Sequence, residues 1–160
     1  MTITTTTHLN FHGNARDALE FYATVFGGEA TIATYADFGM PAEAPGSAGV
    51  VFGQVETAGG FRVMAYDVPG QNYAPGQNDA TAQTGTTRRE NGATLTTQPF
   101  FVSVRGETLN EITAYWERLS SGATIVEPLA ASAWSPGFGM LTDSFGVTWI
   151  LDVAATYPAE

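Results

Sequence analysis

The feature that most constrains this fold is an internal repeat. A shift of 93 positions places the segment His8–His12 on the segment Phe101–Arg105, and apolar and polar residues alternate in both. Further along the chain, a shift of 86 positions places Phe52-Gly53 on Phe138-Gly139. A self-match at a fixed spacing indicates a duplicated structural unit. The chain should therefore contain two copies of one module.

Each copy has the same predicted order, which is a strand, a helix and three further strands. Alternation with period two predicts the strands, and an apolar stripe with helical spacing predicts each helix. The predicted strands span 3–12, 29–36, 49–57 and 60–66, then 99–105, 123–127, 137–143 and 147–153, and the predicted helices span 14–26 and 107–120. The difference between the two shifts places seven extra residues in a loop within Asp37–Gly49. We expect one α+β domain over 1–160, with module one at 1–66 and module two at 99–155.

The segment 67–98 between the modules is predicted to be a long linker loop. It is rich in Gly, Pro, Asn, Gln and Thr and shows little periodicity. Connections of this length in a compact domain are functional, packed against a partner or disordered. We expect disorder or simple packing here, and a lid over a binding site is the alternative.

Charge and composition exclude several classes of protein. The net charge is −10, all six basic residues are arginine, and cysteine is absent. Nucleic acid and anionic membranes are poor partners because binding them requires clustered cations. Without cysteine there are no disulfides and no thiolate metal sites. The N-terminus lacks the pattern of a signal peptide, and no stretch approaches the roughly 20 apolar residues of a membrane span. We expect a soluble, cytoplasmic protein.

Motifs at both ends of the repeat carry a family resemblance. They are Phe11-His12-Gly13-Asn14-Ala15, Ala18-Leu19-Glu20-Phe21-Tyr22, Phe26-Gly27-Gly28, Gly137-Phe138-Gly139-Met140-Leu141-Thr142-Asp143 and Phe145-Gly146-Val147-Thr148-Trp149. The chain resembles the vicinal oxygen chelate (glyoxalase, bleomycin resistance and dioxygenase) superfamily, and in particular its PhnB-like branch. The resemblance implies two tandem βαβββ modules whose mixed sheet curls around a cleft. It also implies a divalent metal held by one residue from the first strand and one from the last strand of each module, acting as a Lewis acid.

The metal ligands that the resemblance implies are incomplete in this sequence. Strand alternation gives the cleft-facing candidates as His8 (or Thr6), Phe101 (or Pro99), Met64 (or Tyr66) and Ile150 (or Asp152). A divalent ion needs at least three converging nitrogen or oxygen donors, and neither Phe101 nor Ile150 provides one. We therefore expect no native metal and no other cofactor. The fallback set of ligands is His8, Tyr66 and Asp152.

The same alternation predicts a ligand-binding cleft. Its predicted lining residues are His8, Asn10, Met64, Tyr66, Phe101, Trp134, Ile150 and Asp152. His8 is either an acid or base of the cleft or a hydrogen-bonded wall residue, and the wall is the preferred interpretation. Trp134 is either a cleft aromatic or a packing anchor. Arg62 and Arg105 are candidates for binding an anion or are solvated strand ends, and Asp152 could pair with either.

The hypothesis that follows is a PhnB-like protein without metal that binds a small, partly apolar molecule in the cleft. One alternative is a metal-dependent lyase, isomerase or dioxygenase of the glyoxalase type with displaced ligands. Another is a drug-sequestering protein of the bleomycin-resistance kind. No catalytic residue is assigned, and no nucleophile, phosphate-loop or dinucleotide motif occurs. We expect a homodimer with a small-molecule ligand, and no nucleic-acid or membrane partner.

Overall fold

The chain divides into two units, Met1–Ala82 and Gln83–Glu160. The computed structural model describes residues 3–70 and 86–155. Residues 71–85, which form the middle part of the predicted linker 67–98, are therefore outside the described residues. Within the described ranges, neither helix has the length and apolar character needed to span a membrane.

The first unit holds one helix and a four-stranded mixed sheet. Its elements are β1 (Thr7–Phe11), α1 (Ala15–Phe26), β2 (Glu29–Thr34), β3 (Val50–Glu56) and β4 (Arg62–Asp67). The strand order is β1-β4-β3-β2, in which β1 runs parallel to β4 and the other neighbours are antiparallel. Helix α1 ends at Phe26, where Gly27 takes a left-handed conformation with φ of 75°.

The second unit repeats this arrangement after a short hairpin. Its elements are β5 (Thr87–Glu90), β6 (Ala93–Thr96), β7 (Val102–Gly106), α2 (Leu109–Leu119), β8 (Thr124–Ala130), β9 (Phe138–Thr142) and β10 (Thr148–Val153). The order β7-β10-β9-β8 matches that of the first sheet, and β7 runs parallel to β10. The α+β class and the two tandem βαβββ modules are thus confirmed.

Each unit buries its core between one face of the sheet and its helix. Leu19 and Tyr22 of α1 are fully buried, as are Ile112 and Leu119 of α2. Trp149 of β10 is also fully buried. The opposite face of each sheet carries the residues that were predicted to face a cleft from the strands, namely His8, Asn10, Met64 and Tyr66 in the first sheet and Ile150 and Asp152 in the second.

Strand pairing corrects the predicted register of the repeat. In the first sheet His8 of β1 lies opposite Met64 of β4, and in the second sheet Ser103 of β7 lies opposite Ile150 of β10. Ser103, 95 positions after His8, is therefore its counterpart. The predicted shift of 93 is two residues short for these strands. Because side chains alternate with period two, a two-residue error leaves every residue on its predicted face.

Part of the predicted linker loop is a β-hairpin. Strands β5 and β6 pair antiparallel around Asn91-Gly92, whose φ angles are 52° and 77°. Two consecutive positive φ angles are typical of a type I′ turn, which Asn-Gly favours. The prediction missed the hairpin because its strands are mostly polar and carry no apolar alternation. The Asn-Gly pair was the signal that could have revealed it.

Candidate functional site

The open face of the first sheet brings together four of the predicted lining residues. His8 and Asn10 lie on β1, and their partners Met64 and Tyr66 lie on β4. The rings of His8 and Tyr66 meet edge to face, with centroids 5.3 Å apart. The Nδ1 atom of His8 lies 3.3 Å from Oδ1 of Asn10. His8 and Asn10 are exposed, whereas Met64 and Tyr66 are half-buried. This face therefore presents a thioether and two rings beside hydrogen-bonding groups.

Polar neighbours extend this face across β3. Gln54 lies opposite Met64, and its amide donates to a carboxylate oxygen of Glu56 at 2.9 Å. Arg62 donates to the other oxygen of Glu56. This pairing holds the Arg62 guanidinium against a carboxylate of its own sheet. The role predicted for Arg62 as an anion-binding residue therefore competes with an internal ion pair.

The open face of the second sheet carries Ile150 and Asp152 on β10. The side chain of Asp152 is 7% exposed and forms an ion pair with Arg105 of the adjacent strand, with Nη2 and Oδ2 2.6 Å apart. The Nε atom of Arg105 also donates to both carboxylate oxygens, at 3.0 and 3.1 Å. The predicted pairing of Asp152 with a cleft arginine is confirmed for Arg105. Ile150 is half-buried.

The two predicted aromatic lining residues of the second unit occupy connecting segments. Phe101 precedes β7 and is half-buried, so it lies outside the strand to which it was assigned. Trp134 is 54% exposed and lies between β8 and β9. Its ring meets Phe138 edge to face, with centroids 5.4 Å apart. The packing and ligand-facing interpretations of Trp134 are therefore compatible, because the ring makes an internal contact and still presents about half its surface.

The hairpin packs onto the open face of the second sheet. Arg89 of β5 donates to Glu127 of β8 at 3.1 Å, and its guanidinium lies 5.7 Å from the ring centre of Phe138. Thr94 of β6 lies 3.7 Å from the sulfur of Met140. Met140 is 1% exposed although it lies opposite Ile150 on the face away from α2. Sequence analysis did not identify Arg89, Glu127 or Met140 as members of this face.

The donor set does not fit the metal that the resemblance implies. The counterparts in the first and last strands are His8 and Met64 in one sheet and Ser103 and Ile150 in the other. They supply one imidazole and one hydroxyl, whereas a divalent ion requires at least three nitrogen or oxygen donors. In the fallback set, both oxygens of Asp152 already accept from Arg105. Among the described residues, no group of three His, Asp or Glu side chains could hold an ion.

A cavity of about 400 Å³ lies in the first unit, beside the end of β4. It is lined by the β2–β3 loop, the start of α1 and the end of β4, including Arg16, Tyr35, Met40 and Val68. The Tyr35 hydroxyl donates to the main-chain oxygen of Asp67 at 2.8 Å. Burial raises the pKa of Tyr35, and Tyr66 and Asp67 raise it further. Nothing in the sequence indicated this cavity, because its walls come from loops whose path has no period.

Solved structures share this fold at low sequence identity. Protein PA1353 from Pseudomonas aeruginosa has a TM-score of 0.71 and 22% identity, over 95% of this chain and 98% of that chain. A PhnB protein from Bacillus cereus, described as a 3-demethylubiquinone-9 3-methyltransferase, has a TM-score of 0.66 and 22% identity, over 95% and 100%. A glyoxylase/bleomycin resistance protein/dioxygenase domain from Frankia has a TM-score of 0.61 and 11% identity, over 99% and 96%.

The sequence matches a family model over most of its length. Comparison with curated proteins finds no match. The model of the Glyoxalase/Bleomycin resistance protein/Dioxygenase superfamily matches residues 7–151, which include the helix of both units and both main sheets except for the last two residues of β10. The chain therefore belongs to the glyoxalase/bleomycin resistance protein/dioxygenase superfamily.

Proposed function

We propose that this protein binds a small, partly apolar molecule through the open face of its first sheet, without a catalytic metal. The observation that carries the proposal is the group formed by His8, Asn10, Met64 and Tyr66, which share one face in register. Ligand sites are mostly apolar, with a few polar groups that fix the orientation of the ligand. This group has that composition.

Each member of the group has a distinct capacity for binding. The Met64 thioether adapts its shape to an apolar ligand, because its side chain is unbranched and polarizable. The Tyr66 hydroxyl and the Asn10 amide both donate and accept hydrogen bonds, and the His8 ring offers one donor and one acceptor when neutral. A ligand with a flat apolar part and one or two polar atoms matches these groups. The other predicted lining residues belong to the second unit, and their role in lining a ligand-binding cleft stays a prediction. They are Phe101, Trp134, Ile150 and Asp152.

Ligand binding is tested by thermal unfolding against a panel of small, partly apolar molecules. A ligand at 100 times its Kd stabilises the folded state by about 2.7 kcal/mol, which for a chain of this size raises Tm by about 5–10 °C. The variant Met64→Ala should reduce the rise, as should His8→Ala. The variant Phe38→Ala is the control, because Phe38 lies in the β2–β3 loop and is 74% exposed. A rise that survives the double variant of His8 and Met64 would assign the ligand to another surface.

The absence of a catalytic metal is tested separately. Elemental analysis of the purified protein should find no stoichiometric ion, and Ni²⁺, Mn²⁺ and Zn²⁺ should leave Tm within a degree or two. A stoichiometric ion, or a large rise of Tm that His8→Ala abolishes, would instead support a metal-dependent lyase, isomerase or dioxygenase. The ligand panel remains informative in either case, because it does not depend on the metal.

We further propose a homodimer. Phe100 and Trp134 of the second unit are 53% and 54% exposed in the single chain. Large exposed apolar side chains favour association when they form a patch. Sedimentation at micromolar concentration should give twice the chain mass, and a monomer would contradict this proposal.

A further inference from the structure

The hairpin β5–β6 presents a polar surface to the sheet beneath it. Arg89 lies opposite Thr94, and both side chains contact the second sheet. Two positions along, Thr87 lies opposite Thr96, and their hydroxyl oxygens are 2.8 Å apart. Alternation places all four side chains on the same face of the hairpin. Leu95, the one large apolar side chain of these two strands, alternates to the other face and is 38% exposed.

The surface beneath the hairpin is partly apolar. Met140 lies on the face of β9 that is turned away from α2, yet it is 1% exposed. Its neighbours across the sheet are Ile150 of β10 and Glu127 of β8. Thr94 lies against the sulfur of Met140, and Arg89 lies over the ring of Phe138. The hairpin thus covers apolar surface with threonine and arginine side chains.

The contacts that hold the hairpin on the second sheet are weak. An isolated two-stranded hairpin is marginally stable in water, and this one has four residues in each strand. One of its contacts with the sheet is the ion pair of Arg89 and Glu127, whose side chains are 18% and 39% exposed. Partly exposed ion pairs contribute modestly to stability. The residues on its inward face are Thr87, Arg89, Thr94 and Thr96, none of which has a large apolar side chain that would hold a permanent cover more firmly.

We propose that the hairpin opens and closes over the second sheet, and that the ion pair of Arg89 with Glu127 stabilises the closed state. Opening breaks this ion pair and exposes Met140 and the face of Phe138, which then accept the apolar part of a small molecule. In the closed state the hairpin shields this surface from water when no ligand is bound. The use of the surface by a ligand rests on the proposed function, whereas the opening itself does not and is measured without any ligand.

Oxidation of methionine by hydrogen peroxide measures the opening. Trypsin cleaves this chain only after arginine, so Met140 falls on peptide 119–160 and Met64 on peptide 63–88. Mass spectrometry then follows both oxidation rates in one sample. The variant Arg89→Gln should raise the rate at Met140 by about twofold to fivefold, since the closed state loses a charge-assisted contact. Glu127→Gln should do the same, and the rate at Met64 should not change in either variant.

The neighbouring arginine provides a matched control. Arg88 pairs with Glu90 within β5 and is 58% exposed. Arg88→Gln makes the same charge change in the same strand and should leave the Met140 rate unchanged. Equal Met140 rates in wild type, Arg89→Gln and Glu127→Gln would overturn the proposal. So would acceleration by Arg88→Gln equal to that by Arg89→Gln.

Local opening and global unfolding are distinguished by urea. Local opening exposes little surface, so the Met140 rate should change little at low urea, whereas oxidation through global unfolding rises steeply. A steep rise in the wild type would overturn the proposal. Failure of the ligand panel would leave these rates unaffected, so the two proposals can fail independently.

Discussion

Replacing Gly53 with alanine tests the close approach of helix and sheet in the first unit. A Cβ atom at this position of β3 would lie 2.2 Å from Cδ1 of Leu19 and 3.1 Å from the main-chain oxygen of Ala65. Non-bonded carbon atoms prefer separations of about 3.5–4.0 Å. Leu19 is fully buried, so its side chain cannot move aside into solvent. The alanine must therefore displace α1 or force Leu19 out of its rotamer.

The expected cost follows from two opposing terms. Overpacking of a core typically costs about 1–3 kcal/mol, and a clash against a fully buried leucine belongs near the upper end. Alanine also restricts the unfolded chain, which returns about 0.4–1 kcal/mol. We expect Gly53→Ala to lower the free energy of unfolding by about 2 kcal/mol, and Tm by about 4–8 °C.

Two further glycines calibrate this prediction. The counterpart Gly139 faces Trp116, whose nearest atom would lie 2.6 Å from a new Cβ atom. Trp116 is half-buried and its ring can tilt outwards, so Gly139→Ala should cost about 1 kcal/mol. At Gly59 a Cβ atom would meet only Thr57, at 3.9 Å, so Gly59→Ala should stay within about 0.5 kcal/mol of wild type. Urea unfolding followed by far-UV circular dichroism measures all three. Equal stability of Gly53→Ala and Gly59→Ala would refute the reasoning.

Three further predictions concern polar groups of the first unit. Asp67→Ala should lower the free energy of unfolding by about 3 kcal/mol in urea, because the buried carboxylate accepts from three main-chain amides at 2.7, 2.8 and 3.0 Å; an unchanged midpoint would contradict this. Hydrogen bonds from Thr34 hold the pKa of Asp37 below its ordinary value, so its stabilising effect is complete above pH about 4 and is lost as the pH falls through the lowered pKa. Asp37→Asn should reduce the loss of stability at acid pH in a profile of the free energy of unfolding against pH. A profile that runs parallel to that of the wild type would contradict the lowered pKa of Asp37. The raised pKa of Tyr35 means that its contribution is complete below pH about 10 and is lost as the pH rises towards the folded-state pKa; Tyr35→Phe should remove one phenol that ionises above the ordinary tyrosine pKa in an absorbance titration at alkaline pH.

The sequence was sufficient for the architecture because the alternation of its strands is strong. Leu9 and Phe11 lie on the helix side of β1 and are buried, whereas His8 and Asn10 lie on the open side, as alternation predicts. The register between the two modules was less secure. A two-residue slip preserves the face of every side chain, so the pattern could not distinguish Phe101 from Ser103 as the counterpart of His8. The pairing of β7 with β10 makes that distinction, and the sequence of neither strand alone determines it.

The candidate site was predicted less completely than the fold. The sheet face on which Met64 and Tyr66 lie was predicted correctly because they belong to a strand with clear alternation. Met140 was missed because a polar hairpin, distant in sequence, covers an otherwise open face. Contacts such as that of Arg89 with Glu127 join residues 38 positions apart. No local pattern indicates which of the six arginines makes such a contact.

The carboxylate of Asp67 shows how far the two modules have diverged. Asp67 ends β4 and binds the amides of Gly13, Ala15 and Val50. Its counterpart at the end of β10 is Val153, and there the Ser135 hydroxyl bonds the main-chain oxygens of Gly137 and Val153 at 2.7 and 2.8 Å. The anchoring group has thus moved from the last strand to the preceding loop. A chimaera carrying the β10 sequence in place of β4 would leave the amide of Gly13 and the buried amides of Ala15 and Val50 without their carboxylate acceptor, so one module can no longer substitute for the other.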